Sequence, residues 1–210
     1  VICYGLGAIK GTGESAIAAI VSAREENGPF TSLFNFCARV DRGKLNKRTV
    51  EALIKAGAFD RLHLDRATLL ANIDLAFDYA LAQEANAHQV GLFDLADDGH
   101  GSSTQEPALT EATPWDLRER LQQEKTALGF HLSGHLFDAC ADEVRRFVRT
   151  PLANLEESRE PQLLAGIVSD LRVINGNRGK LALFRLDDGS ATVEASADEA
   201  VFTSNAVLKE

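Results

Sequence analysis

The spacing of apolar and polar residues divides the chain into a helical part and a strand-rich end. Up to about residue 130, apolar side chains recur at three- and four-residue steps in several segments, which predicts amphipathic helices. The last fifty residues instead carry runs of Leu, Ile and Val separated by short turns, which predicts a β-meander. We therefore predict an α+β, multi-domain chain, mainly helical and followed by the start of a small β-domain.

Small polar residues mark the starts of the predicted helices, and glycines mark several of their ends. The helices are expected from about Glu14 to Glu26, from Thr31 or Ser32 to Val40, from Asn46 to Gly57, from Asp65 to about Ala85 and from Thr113 to Gly129. A short strand-like run, 1–4, precedes them. The segment 97–112 is polar and is predicted to be a linker.

A glycine-containing turn leads into the first helix. It consists of Lys10, Gly11, Thr12 and Gly13. Backbone N–H groups at a helix N-terminus are unpaired and carry partial positive charge, and glycine lets a phosphate approach the backbone closely. The spacing resembles the hairpin of the helix-hairpin-helix motif, which binds the DNA backbone without reading sequence. A simple connecting turn is the alternative.

A second helix–turn–helix follows, and its turn is basic. Candidate phosphate contacts are Arg42, Lys44, Asn46, Lys47 and Arg48. The whole chain has a net charge of −9, but residues 1–60 carry eight Lys or Arg against six Asp or Glu. Screening limits each charge to about 8–10 Å, so a local basic cluster can bind phosphate on an acidic chain. Two such units in tandem predict a DNA-binding module; the alternative is an ordinary four-helix packing unit.

A short peptide after the long helix combines one amide with two large apolar side chains. Gln89, Leu92 and Phe93 are the defined positions, and Gly91 lets the backbone bend between them. Burying each of the two apolar side chains would contribute about 1.5–3 kcal/mol of free energy, and this contribution is lost if they stay exposed. The pattern resembles the peptide by which bacterial replication proteins bind the sliding clamp. In the alternative, the Leu-Phe pair packs on this chain's own helices.

The remaining metal-ligating and nucleophilic side chains do not form a recognisable site. His131, His135 and Cys140 match no standard zinc spacing and lack a fourth ligand. Ser133 has neither a nucleophile-elbow pattern nor a nearby acid partner. No metal site and no catalytic residue are therefore predicted. The three cysteines, odd in number and widely spaced, indicate reduced thiols and a cytoplasmic setting.

No stretch approaches the roughly 18 apolar residues of a membrane span, so no membrane partner is predicted. The sequence contains no Met, and we expect it to be a piece of a longer protein.

The C-terminal strands are predicted at Leu163–Val173, Lys180–Leu186 and Ala191–Ala195. Their order resembles the opening of an OB-fold, a small barrel that often binds single-stranded nucleic acid. The candidate binding residues are Arg172, Arg178, Lys180 and Phe184. Only about three strands fit, so the barrel is expected to be cut short. A generic β-meander is the alternative.

Five motifs together carry a family resemblance. YGLGAIKGTGE, SLFNFCARVD, LNKRTVEALIKAGAFD, QVGLF and EKTALGFHLSGH closely resemble the alpha subunit of bacterial DNA polymerase III, over essentially the whole chain. The resemblance implies a tandem helix-hairpin-helix module (1–60), a long helix with the clamp-binding peptide (61–96), a linker (97–112), a helical connector (113–160) and part of an OB-fold (161–210).

The same resemblance implies the partners. They are the double-stranded DNA backbone, the sliding clamp, single-stranded DNA and other subunits of the polymerase holoenzyme. The family's catalytic aspartates, which would use Mg, are not in this stretch, so no cofactor and no catalytic residue are expected here. Leu136 stands where the family usually has proline. The segment 196–201 lacks the aromatic residue expected in the third OB strand region, and this second departure argues against ligand binding by the OB part.

Two other functions stay open from the sequence. A repair nuclease or glycosylase would need a catalytic residue just beyond a hairpin, and Lys55 and Asp60 are the nearby candidates. An error-prone paralogue of the polymerase would share the fold and differ in its dependence on the clamp.

Overall fold

The computed structural model describes residues 4–93, 105–176 and 179–204. The chain divides into two compact units, Val1–Leu132 and Ser133–Glu210. The first contains α1 (Glu14–Asn27), α2 (Leu33–Arg39), α3 (Lys47–Lys55), α4 (Arg66–Ala71), α5 (Ile73–Phe93) and α6 (Leu117–Leu128). The second contains α7 (Ala141–Val144), β1 (Ile167–Gly176), β2 (Gly179–Asp187), β3 (Thr192–Ala197) and α8 (Glu199–Ser204). The predicted fold class, a helical region followed by a small antiparallel sheet, is confirmed.

The division falls inside the segment 113–160, which was predicted to be a single helical connector. Helix α6 belongs to the first unit, while the rest of that segment belongs to the second. Residues 1–3 of the predicted N-terminal strand lie outside the described residues, and Tyr4 is not in a strand.

Side-chain caps fix the starts of three helices at the predicted residues. Ser32 accepts a hydrogen bond from the amide of Asn35 at 2.9 Å, which decides between Thr31 and Ser32. Asn46 caps α3 and Asp65 caps α4 in the same way. Each such cap contributes about 1 kcal/mol by satisfying an amide that the helix leaves open.

An aromatic cluster forms the centre of the helical unit. The ring of Phe36 lies edge-on to Phe30 and to Phe59, each with centroids 4.9 Å apart. Phe34 makes a similar contact with Tyr79 of α5, so α2 packs on the long helix. Cys37 is buried beside them, and burial raises the pKa of its thiol to about 12. This cysteine therefore stays a protonated thiol that fills the core.

The predicted single helix from Asp65 to about Ala85 is wrong, because Asn72 interrupts it. Helix α4 ends at Ala71 and α5 begins at Ile73. The buried Asn72 side chain donates to the carbonyls of Thr68 and Thr110 at 2.8 Å each, and it accepts from the amide of Thr110. A buried amide needs such partners, and these three hydrogen bonds satisfy Asn72 at the break between the two helices.

The second half of the predicted linker packs against the helices. Besides Thr110, the amide of Ala112 donates to Thr68 at 3.0 Å, and Leu109 lies against the core. Residues 97–104 lie outside the described residues. Residues 105–112 were predicted to be part of the linker, but hydrogen bonds to α4 and to Asn72 hold them against the helices.

Helix α6 begins later than predicted and carries a buried acid. Asp116, not Thr113, is its N-cap, and Gly129 ends it as predicted. Glu124 is 0% exposed, and Arg66 of α4, 5% exposed, donates to it at 3.0 Å. Arg66 also donates twice to Asp60, at 2.7 Å each. This ion-pair network fastens α6 to the turn after α3.

A glycine makes room for that network. Gly57 has φ of +81°, and a Cβ there would lie 2.3 Å from the guanidinium of Arg66. The two catalytic candidates of the repair-enzyme alternative also form ion pairs: Asp60 with Arg66, and Lys55 with Glu51 at 2.6 Å. No observation in the described residues favours a catalytic role for either.

In the second unit the three strands form one antiparallel sheet in the order β1-β2-β3. The β1–β2 register shifts by one residue between Ser169 and Arg172, and Asp170 has a positive φ of 53°. This is a β-bulge, which bends the strand and moves the residues after it to the opposite face. The three predicted strands are all present, although β1 begins at Ile167 rather than Leu163.

Asp188 organises the turn between β2 and β3. Its buried carboxylate accepts hydrogen bonds from the amides of Leu152, Ser190 and Ala191 and from the Ser190 hydroxyl. Burial alone would raise its pKa, but these hydrogen bonds outweigh it and hold the pKa at about 2, below the ordinary 3.8. The charged carboxylate is therefore the form that stabilises this turn.

Asp188→Asn is expected to lower the free energy of unfolding of the second unit at pH 7 by about 1–2 kcal/mol, after allowance for solvent screening. Because the folded pKa is depressed, the Asp188 contribution is present above about pH 4 and is lost as the pH falls towards about 2. Urea denaturation should show the gap between wild type and variant closing over that window. Glu160→Gln, an exposed control, should show no gap, and a gap that is constant with pH would contradict the assignment.

Candidate nucleic-acid interface

The first hairpin (Lys10–Gly13) is held by the side chain of Thr12. Its hydroxyl donates to the carbonyl of Ile9 at 2.7 Å and lies 3.1 Å from the carbonyl of Leu6. Gly11 has φ of +85°, a conformation that other residues adopt only with strain. The buried side chain of Ile9 anchors the hairpin in the core. The loop is therefore a fixed turn.

This hairpin presents backbone amides and one cation to solvent. Gly13 is the N-cap of the fourteen-residue helix α1 and offers no side chain to cap it. Lys10 is exposed, and within the described residues no carboxylate lies at ion-pair distance from it. Glu14 is the acidic residue in the first turn of α1, so it opposes an anion there and Lys10 offsets it.

The first hairpin is also joined to the end of α6. The Lys10 amide donates to the carbonyl of Ala127 at 2.8 Å. The Lys10 side chain passes so close to Gly129 that a Cβ on that residue would lie 3.1 Å from Nζ. The ammonium group is thus positioned at the C-terminus of α6.

The second hairpin (Asp41–Asn46) is closed by its own polar residues. The Asp41 carboxylate accepts from the Gly43 amide at 2.9 Å, and Leu45 is buried beneath the turn. Asn46 accepts from the amide of Thr49 and from its hydroxyl. Arg48 lies exposed in the first turn of α3, and among the described residues no carboxylate pairs with it.

The other basic residues of the second hairpin and of the start of α3 are already paired with carboxylates. Arg42 pairs with Glu84 of α5 at 2.7 Å, and Lys44 lies 3.8 Å from Asp41. Lys47 forms an ion pair with Asp74 of α5, and this hydrogen bond raises the pKa of Lys47. A phosphate at these positions would compete with the acids of α5, so the second hairpin is electrostatically weaker than its sequence indicates.

Arg39, at the edge of the same basic cluster, serves the fold. Its guanidinium donates to the carbonyls of Ala23 and Gly28, each at 2.7 Å, and lies over the ring of Phe30. It therefore ties the end of α2 to the end of α1.

The predicted clamp-binding peptide lies at the end of α5. Helix α5 runs from Ile73 to Phe93, past the predicted end near Ala85. The side chains of Gln89, Leu92 and Phe93 lie outside the described residues. Their role at the clamp stays a prediction.

The sheet does not bring the predicted single-strand-binding residues to one face. Lys180 and Phe184 share a face of β2, because side chains alternate along a strand. Arg172 pairs with Leu183 and lies on the opposite face, and Arg178 lies outside the described residues. Arg172 therefore does not share a face of the sheet with Lys180 and Phe184.

Two of the residues considered for metal binding, His135 and Cys140, make other contacts. His135 accepts from the amide of Phe137 and lies 3.3 Å from Asp187, while Cys140 donates to the carbonyl of Phe137. Within residues 4–93, 105–176 and 179–204, no cluster of three or more His, Cys, Asp or Glu is arranged to hold a metal ion.

Comparison with known proteins gives two findings. A family model described as "Helix-hairpin-helix motif" matches residues 1–69. The DNA polymerase III subunit alpha of Neisseria meningitidis serogroup B is 48% identical over 92% of this chain. Those of Pseudomonas aeruginosa and Escherichia coli K12 are 41% and 37% identical, over 97% and 92% of the chain.

Over this stretch the chain belongs to the DNA polymerase III alpha-subunit family. The family resemblance identified from the five motifs is confirmed. The chain spans only 16% of the Neisseria relative, 19% of the Pseudomonas relative and 17% of the Escherichia relative. The helix-hairpin-helix match covers both hairpins and extends into α4. No helix among the described residues is long and apolar enough to cross a bilayer.

Sequence reasoning missed two features of this alpha-subunit segment. The acids Asp74 and Glu84, which pair with the second hairpin, lie more than 25 residues away on α5. Exposed acids on a helix carry no local signal of such pairing. Tyr4 and Phe130 form an exposed aromatic pair beside the first hairpin, and they are far apart in sequence.

Proposed function

We propose that this chain is a non-catalytic part of a DNA polymerase III alpha subunit that holds the backbone of double-stranded DNA through its two hairpins. The supporting observation is the first hairpin, a fixed loop that presents helix-terminal amides and Lys10 together. A helix N-terminus binds phosphate through N–H groups and through the helix dipole. Such contacts recognise the backbone and carry no sequence information, which suits a polymerase that must move along any template.

The two hairpins contribute unequally in this proposal. At the first, no carboxylate among the described residues lies at ion-pair distance from Lys10, so no acid is displaced when it meets a phosphate. At the second, Arg48 is available directly, while Arg42 and Lys47 would exchange Glu84 and Asp74 for phosphate. An exchange releases less free energy than a new contact, because the existing ion pair must be broken first. The first hairpin and Arg48 therefore supply most of the affinity.

The proposal also includes the sliding clamp, held by Gln89, Leu92 and Phe93, and single-stranded DNA, held at the sheet by Lys180 and Phe184. Weak contacts to clamp and DNA joined in one chain bind far better together than separately, because the second contact forms at high effective concentration. In this way the chain would support processive synthesis in the cytoplasm, together with the other holoenzyme subunits. The chemistry, with its Mg, belongs to the rest of the polymerase.

The DNA contacts are tested by the salt dependence of duplex affinity. For the wild-type chain, the logarithm of the association constant for a blunt duplex should fall linearly with the logarithm of salt concentration. Lys10→Ala and Arg48→Ala should each reduce the slope by about 0.9, since each removes one phosphate contact, and the double variant by about 1.8. Fluorescence anisotropy between 50 and 200 mM salt is the measurement.

Arg118→Ala is the matched control. Arg118 is exposed at the start of α6, the opposite end of that helix from the Ala127 carbonyl that Lys10 contacts, so the same loss of charge should leave the slope unchanged. If all three single variants lower the slope equally, binding follows net charge and the hairpins are not the site.

A further inference from the structure

Two aromatic rings lie exposed beside the first hairpin. Tyr4 and Phe130 meet edge-to-face, with ring centroids 5.2 Å apart and an interplanar angle of 78°. Tyr4 is 47% exposed and Phe130 is 39% exposed. Burying an aromatic side chain is strongly favourable, so this exposed ring pair is a surface that a ligand could cover with a gain in free energy.

The pair is adjacent to the proposed phosphate-binding cation. Phe130 directly follows Gly129, against whose backbone the Lys10 ammonium lies. Tyr4 precedes the short turn Leu6–Ala8, whose Leu6 carbonyl lies 3.1 Å from the Thr12 hydroxyl in the hairpin. The rings, the ammonium group and the hairpin therefore form one continuous surface within the helical unit.

An aromatic face next to a phosphate-binding cation suits a ligand that has both a phosphate and a flat ring. Proteins that hold single strands combine a cation on the phosphate with a ring that stacks on the base. Inside a duplex each base is already stacked on both faces, so a ring beside the backbone finds a free base face at an unpaired nucleotide. An apolar peptide could use the rings, but it would leave Lys10 without an anion.

We propose that Tyr4 and Phe130 form a stacking surface for an unpaired nucleobase next to duplex DNA, with Lys10 on the phosphate of that nucleotide. This inference rests on the proposed binding of DNA by the first hairpin. It gives the helical unit a preference for the junction between single and double strands, separate from any contact at the sheet.

The test compares a blunt duplex with the same duplex carrying a short single-stranded extension, whose first unpaired base is 2-aminopurine. Phe130→Leu and Tyr4→Leu keep apolar volume but remove the ring face. Each should weaken binding of the extended DNA about five- to tenfold, the lower part of the range for loss of one stacked base, and leave the blunt duplex within about twofold. The wild-type chain should quench the 2-aminopurine fluorescence, and the variants should not.

Leu132→Ala is the control, since Leu132 is an exposed apolar neighbour without a ring. It should leave both affinities unchanged. Equal wild-type affinity for the two DNAs, or equal losses on both from the ring variants, would overturn the stacking surface while leaving hairpin binding intact. Absence of wild-type binding to either DNA would overturn the proposed function, and the inference with it.

Discussion

Arg66→Ala is expected to lower the free energy of unfolding of the helical unit by about 3–5 kcal/mol. Arg66 is the buried cation between Glu124, which is fully buried, and Asp60. Removing one partner of a buried ion pair leaves the other with its desolvation penalty uncompensated. In the variant, Glu124 would still accept the hydrogen bond from the Leu132 amide, at 2.7 Å, but would lose the ion pair with the Arg66 guanidinium. Urea denaturation followed by circular dichroism at pH 7 measures the change.

Arg61→Ala provides the matched control for this variant. Arg61 lies exposed in the turn before α4, so the same loss of charge should change stability by less than about 0.5 kcal/mol. Arg120→Ala should lie between the two, because Arg120 is 39% exposed and sits 3.4 Å from Asp60. A loss below about 1 kcal/mol for Arg66→Ala would mean that the network does not hold α6 in place.

The triple variant Gln89→Ala, Leu92→Ala, Phe93→Ala is expected to weaken binding to a bacterial sliding clamp at least about thirtyfold. Burial of two large apolar side chains in a partner's pocket contributes more than about 2 kcal/mol, the level of an interface hot spot. Surface plasmon resonance with immobilised clamp measures the affinity. The circular-dichroism spectrum of the variant should match that of the wild type, because these side chains would pack into the clamp and not into this chain's core.

Asn86→Ala tests whether the effect is specific to the peptide. Asn86 is exposed on α5 a short distance before it, and its loss should leave clamp affinity unchanged. Unfolding of the triple variant, or clamp binding equal to wild type, would assign Leu92 and Phe93 to the chain's own core.

Local signals made the two hairpins predictable from the sequence. Ser32, Asn46 and Asp65 cap their helices as expected, because an N-cap is decided by residues within three positions. The glycine turn before α1 is equally local. Both hairpins were therefore predicted before any tertiary contact was known, and the helix-hairpin-helix match agrees with them.

Features that depend on distant residues were not predictable in this way. At the break between α4 and α5, the Asn72 side chain meets Thr110, 38 residues later. The burial of Glu124 depends on Arg66 in another helix, and an acid in an amphipathic pattern is normally assigned to solvent. The pairing of Lys47 with Asp74 likewise follows only from the packing of α5.

The sheet shows how one residue can change a predicted site. Without the bulge between Ser169 and Arg172, the register would place Arg172 opposite Ala182, on the face of Lys180 and Phe184. The extra residue moves Arg172 to the opposite face. The strands themselves followed from the Leu, Ile and Val runs, but a single-residue bulge leaves no clear mark in such a pattern.

The most direct test of DNA binding by the hairpins is an NMR titration of the ¹⁵N-labelled chain with a blunt duplex at low salt. Amide signals report each backbone N–H separately, and in the proposed complex the phosphate binds to the amides themselves. The largest shifts are predicted at residues 10–15, with smaller ones at 44–48 because the acids of α5 compete there. Shifts confined to the sheet or to surfaces away from both hairpins would contradict the account.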